Sequence, residues 1–123
     1  LFEIIKKISE SEKKIMLTTD HGTIRVKNPT KVVGPKSTNS NMRYKVSKNL
    51  SYNRKDVFEA MNPEKLGLPK NNLSSAFIFA KEDNYFVYPN NYHHFANLYN
   101  DTFQHGGISM EEILIPYVFL NPK

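Results

Sequence analysis

The segment from Leu1 to Thr18 limits the fold more than any other part of the chain. Leu1, Ile4, Ile5 and Ile8 fall on one face at helical spacing, with Lys and Glu opposite, so an amphipathic helix is predicted over Leu1 to Glu12. Lys13 and Lys14 lead into Ile15-Met16-Leu17-Thr18, a short apolar run that reads as a buried strand. A helix feeding a buried strand is the repeating unit of an α/β sheet, so the predicted class is α/β with a mainly parallel sheet. That strand ends in Thr19-Asp20-His21-Gly22. Ligands of open α/β sheets gather outside the carboxyl ends of strands, which makes this position chemically favoured.

Beyond it, Ile24 to Val26 reads as a further short strand that Pro29 ends. From Asn28 to Asn53 the chain is rich in Lys, Asn, Ser and Thr, with Gly34-Pro35 as a turn signal and at most a short strand from Arg43 to Val46. A loop of this length in a compact domain is usually functional or disordered. Asp56 to Met61 is expected to be a short helix stopped before Pro63. Two aromatic runs, Ser75 to Ala80 and Tyr85 to Tyr88, are expected to form an antiparallel hairpin turning at Lys81 to Asn84. A helix follows from Asn90 to Tyr99, Ser109 is a candidate N-cap before Glu111 and Glu112, and Ile113 to Leu120 reads as a final strand.

Composition narrows the class. Across 123 residues, 39% hydrophobic and 12% aromatic content can build a packed core, which suits one domain or a piece of one. Nothing resembles a transmembrane span or a signal peptide, and there is no cysteine to form a disulfide framework, which fits a cytoplasmic location. Leu1 in place of Met is what a fragment, or a processed or trimmed chain, would show. The net charge of +5 favours anionic partners such as phosphates or nucleic acid, against the plainer reading of a solvated basic surface.

The sharpest local chemistry is Asp20-His21. A carboxylate and an imidazole at a strand end can reach one divalent cation, and Gly22 lets the backbone approach it. Oxygen plus nitrogen ligation suits zinc, and also manganese or iron. An ordinary turn carrying a solvated Asp is the competing reading. His105-Gly106-Gly107 is a second candidate, set against an exposed His on a flexible turn. Glu111 and Glu112 read as first-turn helix residues. His93 and His94 point about 100° apart on a helix and so share an ion poorly. Phe77, Phe79, Tyr85, Phe86 and Tyr88 read as packing residues before base-stacking ones. In the basic loop, Thr38, Asn39 and Asn41 beside Arg43 and Lys45 could grip phosphate oxygens, or the whole loop is solvated.

Two motifs in order change this balance. Leu17-Thr-Thr-Asp-His-Gly-Thr-Ile-Arg-Val26 resembles the Asp-His-Gly strand end of the alkaline phosphatase superfamily. Gln104-His-Gly-Gly-Ile-Ser-Met-Glu-Glu-Ile-Leu-Ile-Pro116 resembles its terminal His-Gly-Gly motif. More closely, Asp20-His-Gly-Thr-Ile-Arg-Val-Lys-Asn-Pro-Thr-Lys-Val-Val-Gly34 and Thr38-Asn-x-Asn-x-Arg-Tyr-Lys45 resemble the PglZ domain, most of all the version joined to a response-regulator receiver in Bacteroidetes, the PorX type, and the resemblance runs over nearly the whole chain.

The resemblance implies that residues 1–123 are the C-terminal portion of an alkaline phosphatase-like domain. Asp20 and His21 would hold one zinc and His105 a companion, so the donors of His21 and His105 are expected within roughly 8 Å of each other. Thr38, Asn39, Arg43 and Lys45 would bind substrate. The family's nucleophilic Thr or Ser and its remaining ligands are expected upstream, so this segment alone is expected to be inactive. The implied activity is a zinc-dependent phosphodiesterase or phosphatase acting on phosphate esters, including oligonucleotides or cyclic nucleotides, as the output domain of a two-component response regulator. Protein partners would be those of such a regulator. Two alternatives stay open: a non-catalytic signalling module that retains the metal motifs, and a nucleic-acid-binding domain with no chemistry.

Overall fold

A computed structural model describes residues 1–69 and 76–122. It contains α1 (Phe2–Ser9), β1 (Ile15–Thr18), β2 (Ile24–Val26), β3 (Asn28–Lys31), β4 (Tyr44–Ser47), β5 (Val57–Ala60), β6 (Ala76–Ala80), β7 (Asn84–Val87), α2 (Tyr92–Tyr99), β8 (Thr102–Gln104), α3 (Met110–Ile113) and β9 (Tyr117–Leu120). Short 3-10 turns cover Arg54–Asp56 and Pro63–Leu66. Strands therefore outweigh helices, within an α/β composition of mixed pairing.

β6 and β7 are the centre of the core, and both are buried on two faces. Successive side chains on a strand point to opposite sides. On β6, Ile78 and Ala80 turn toward Val32, Val57 and Phe86, while Phe77 and Phe79 turn toward Ala60 and Tyr44. On β7, Phe86 joins the first of those groups, and Tyr85 and Val87 pack with Ile24, Val26, Phe95 and Tyr99. Two-sided burial explains why these runs read as continuous apolar and aromatic sequence rather than alternating sequence.

The structure departs from the sequence reading in several places. The expected antiparallel hairpin does not close: β6 pairs with β4 and β5, whereas β7 pairs in parallel with β3. The reason is a backbone wedge. Ala80 N–H donates to Arg43 O (2.8 Å) and Phe86 N–H to Met42 O (2.8 Å), so the loop before β4 occupies the space between the two aromatic runs. Ser75, the expected start of the first run, lies outside the described residues. The β3–β7 pair is the single parallel pairing among the described residues, so the mainly parallel sheet is met there alone; β1–β9, β2–β8, β4–β6 and β5–β6 are antiparallel.

The expected helix from Asp56 to Met61 does not form either: Asp56 ends a 3-10 turn and Val57 to Ala60 is β5. Val57 and Ala60 gain more by pairing along β6 opposite Ala80 and Phe77 than a single isolated helical turn could offer. Met110 to Ile113 is helical, so the last strand is shortened to β9. β1 is a strand as expected but is not enclosed, since Ile15 and Leu17 are half-buried and Met16 and Thr18 are exposed.

α1 is amphipathic yet buries none of its residues. Phe2, Ile4, Met16, Ile113, Leu114, Tyr117 and Phe119 are likewise exposed, which leaves α1, the β1–β9 ribbon and α3 with bare apolar surface. No helix among the described residues is long and apolar enough to cross a membrane. Ile78, fully buried on the central strand β6, gives a direct check on this core. Ile78→Ala is expected to destabilise the fold by about 2–5 kcal/mol in urea unfolding; a loss near zero would show that β6 is not central.

Candidate metal-binding and phosphoester site

The two motifs meet because of strand register. β2 and β8 are antiparallel with Ile24 opposite Gln104. Continuing past that pair, the residues just before Ile24 face those just after Gln104, which is where Asp20-His21-Gly22 and His105-Gly106-Gly107 lie. The His21 and His105 rings stack with centroids 3.8 Å apart and planes 8° from parallel. That spacing lies inside the distance expected for the two imidazoles.

Local geometry orients His21. Its Nδ1 is 2.9 Å from Gly22 O, the arrangement in which that nitrogen donates and Nε2 keeps its lone pair. Nε2 stands 3.7 Å from a carboxylate oxygen of Asp20. A carbonyl holding one imidazole nitrogen while the other is left for a ligand is a common outer-shell arrangement in metal sites. Asp20 is almost wholly exposed and His105 is exposed, so both can reach outward.

As a donor set for zinc, these residues fit one edge of a site. Asp20 and His21 offer an oxygen and a nitrogen on the same side, and His105 lies against them. Among the described residues, no group of three His, Cys, Asp or Glu side chains closes around one position. A complete tetrahedral site therefore needs donors beyond these.

Behind the histidines sits Glu112, whose carboxylate gathers four donors. It accepts from Arg43 Nε (2.9 Å) and Nη2 (3.0 Å), and from the backbone amides of Gly107 (2.9 Å) and Ser109 (3.1 Å). Its backbone carbonyl accepts from Gly22 N–H at 3.0 Å. One residue thus ties the Asp-His-Gly turn to the His-Gly-Gly turn. Gly22 fits because a Cβ there would lie 2.0 Å from Glu111 O, and Gly106 because its φ is +98°. Burial pushes the Glu112 carboxyl up, but hydrogen bonds from Arg43, Gly107 and Ser109 and the charge of Arg43 outweigh it and hold it below the usual carboxylate range.

The basic-loop residues have internal partners. Arg43 is fully buried and donates Nη1 to Asn84 O as well as gripping Glu112. Lys45 is buried, donates to Asn39 O at 2.8 Å, and lies over the Tyr88 ring at 4.6 Å. The Asn39 side chain bonds the backbone of Tyr44 and Val46, and Asn41 accepts from Arg43 and Tyr44 amides while donating to His105 O at 3.3 Å. Thr38 is buried beside them. None of Thr38, Asn39, Arg43 or Lys45 joins the stacked histidines through a recorded contact; Asn41 does. His93 and His94 sit exposed against Tyr92 and Phe95.

Sequence reasoning missed Glu112 as the organiser. The Ser109-x-x-Glu112 spacing carries the signal of a capping box, in which the Glu side chain reaches back to the N-cap amide.

The Asp-His-Gly turn and the His-Gly-Gly turn thus stack at one end of the β2–β8 pair. The chain belongs to the PglZ family: the model of the BREX system PglZ alkaline phosphatase-like domain matches residues 1–120. No curated protein matches the sequence.

The Arg43–Glu112 pair generates two expectations. Glu112→Gln keeps the shape but leaves a buried guanidinium without its counter-charge, a loss of about 3–5 kcal/mol at neutral pH. Because the folded-state carboxyl is depressed, its contribution is present above the unfolded value of about 4.3 and is lost as pH falls through the folded value. The gap in unfolding free energy between wild type and variant should therefore shrink in acid, below about pH 4, and a gap constant with pH would disprove the assignment. Gly22→Ala should push α3 away and separate the two imidazoles, read as loss of ring-to-ring nuclear Overhauser effects between His21 and His105.

Proposed function

We propose that this domain forms one wall of a two-metal phosphoesterase centre, with Asp20 and His21 holding one divalent ion and His105 contributing to a companion. The observation that carries the reading is the stacking of His21 on His105 at 3.8 Å, two side chains from opposite ends of the chain. Antiparallel β2–β8 pairing and the Glu112 clamp bring them there with no local sequence rule requiring it. The remaining ligands and the hydroxyl nucleophile belong, in this reading, to residues outside these 123. When bound, a zinc pair lowers the pKa of an attacking hydroxyl and stabilises charge on attacking and leaving oxygens.

The contribution of this chain's own residues is positional. Gly22 O holds His21 Nδ1 and so keeps Nε2 free. Asn41 donates to His105 O and fixes the approach of that loop. Arg43 is a positioning residue in this reading, because its guanidinium is committed to Glu112 and Asn84. The net charge of +5 favours an anionic substrate, and we favour a phosphodiester over a small monoester because the segment from Asn28 to Asn53 is long and basic in sequence. Service as the output domain of a response regulator is the setting we favour, on the similarity of the Asp20 to Gly34 and Thr38 to Lys45 segments to that type of PglZ domain.

In the full-length protein, His105→Ala and His21→Ala should each lower bis(p-nitrophenyl) phosphate hydrolysis by about 100-fold or more, the scale seen when one catalytic electrostatic contact is removed. Zinc stoichiometry by plasma emission should fall in parallel. Unchanged hydrolysis and zinc content would remove the enzyme reading. Oligonucleotide binding that weakens steeply with salt and ignores chelators would then mark a nucleic-acid-binding module.

A further inference from the structure

On a different part of the molecule, Lys45 lines a cavity of about 170 Å³ with Ser40, Met42, Phe86, Tyr88, Phe95 and Tyr99. Apart from Ser40, the Lys45 amine and the tyrosine hydroxyls, its wall is aromatic and aliphatic. A dry apolar cavity of about 150 Å³ is large enough to take benzene, so this one has room for a single substituted ring. Phe95 and Tyr99 lie nearly parallel on one side, 10° apart, the orientation against which a flat ring can stack.

Two polar groups at this space, Lys45 and Tyr88, are poorly compensated. Lys45 is 2% exposed, and its ammonium is met by Asn39 O and the face of Tyr88. Burial lowers its pKa to about 8, the mark of a cation short of compensating charge. Tyr88 lines the cavity, and its buried hydroxyl has no hydrogen-bond partner; the buried Thr38 hydroxyl has none either. Thr38 lines an adjoining cavity of about 450 Å³, which shares Ser40, Tyr88 and Phe95 with the first. A buried polar group without a partner is costly, and one ligand in a ring-sized apolar space could satisfy Tyr88 and Lys45 together.

We propose that this cavity binds a small aromatic carboxylate, its ring against Met42, Phe95 and Tyr99 and its carboxylate accepting from Lys45 Nζ and Tyr88 Oη. A single carboxylate matches one ammonium and one hydroxyl, whereas a phosphate would leave oxygens facing apolar wall. None of the lining residues belongs to the His21–His105 site, so the inference is independent of the metal reading.

The test compares benzoate with benzyl alcohol, of similar size and uncharged, by NMR titration of the wild-type protein. Benzoate should bind with a dissociation constant on the order of 1 mM and shift the signals of Met42, Phe95 and Tyr99. Benzyl alcohol should bind about tenfold or more weakly, the difference expected for a lost charge-assisted contact. In Lys45→Met the preference for the carboxylate should vanish while the weaker neutral binding persists. Equal binding of the two ligands by the wild type, shifts confined to His21 and His105, or no saturation at about 10 mM would each overturn the proposal. The wild-type comparison decides the matter even if Lys45→Met does not fold.

Discussion

The buried pair of Arg43 and Glu112 is the constraint on which the rest of this domain turns. Both side chains are shut off from water, at 0% and 1% exposure. Removing two charges from water is expensive, and such a pair is kept only where the geometry is good and the remaining hydrogen-bonding capacity is met. Here it is met from several directions at once. Arg43 spends its third nitrogen on Asn84 O at the start of β7, and its backbone carbonyl receives Ala80 N–H from β6. Glu112 receives the amides that follow His105, and its backbone carbonyl receives Gly22. The loop wedge that keeps the aromatic hairpin open and the clamp that holds the histidines are therefore one continuous polar network.

That network explains which parts of the structure were legible in the sequence. α1 and α2 follow from apolar spacing, a local property: α1 ends three residues before the expected Glu12 and α2 begins two residues after the expected Asn90. The turn at Asp20 and the glycines after His105 were legible because their chemistry is carried by adjacent residues. Pairing was not. Ser75 to Tyr88 has every local sign of a hairpin, and nothing inside it reveals that Met42 and Arg43 lie between its arms. Asp56 to Met61 likewise follows β6 rather than its own propensity, as edge strands often do. Arg43 and Lys45 read as surface cations because long basic side chains are seldom fully buried. Glu112 and Asn39, the partners that make their burial tolerable, are distant or unremarkable in sequence.

The same network separates two tasks within the candidate site. The residues with metal-binding chemistry, Asp20, His21 and His105, are exposed or half-buried and sit on turns. Those that hold the turns in place, Arg43, Glu112 and the backbone around Gly22, are buried or tightly approached. Exposed side chains on a rigid buried support can be approached from outside without rebuilding the core.

The bare apolar flank formed by α1, the β1–β9 ribbon and α3 bears on how the chemistry of this protein is measured. Attraction between such flanks is non-directional, and kosmotropic anions strengthen it by being excluded from the surface. Phosphate and sulfate belong to that group. Phosphate added to an assay would thus act twice, as a competitor for an anion site and as a salting-out agent that gathers the molecules through this flank. Under the proposed phosphoesterase reading, inhibition by phosphate would report on the site only when a non-kosmotropic salt at matched ionic strength leaves the particle size and the rate unchanged.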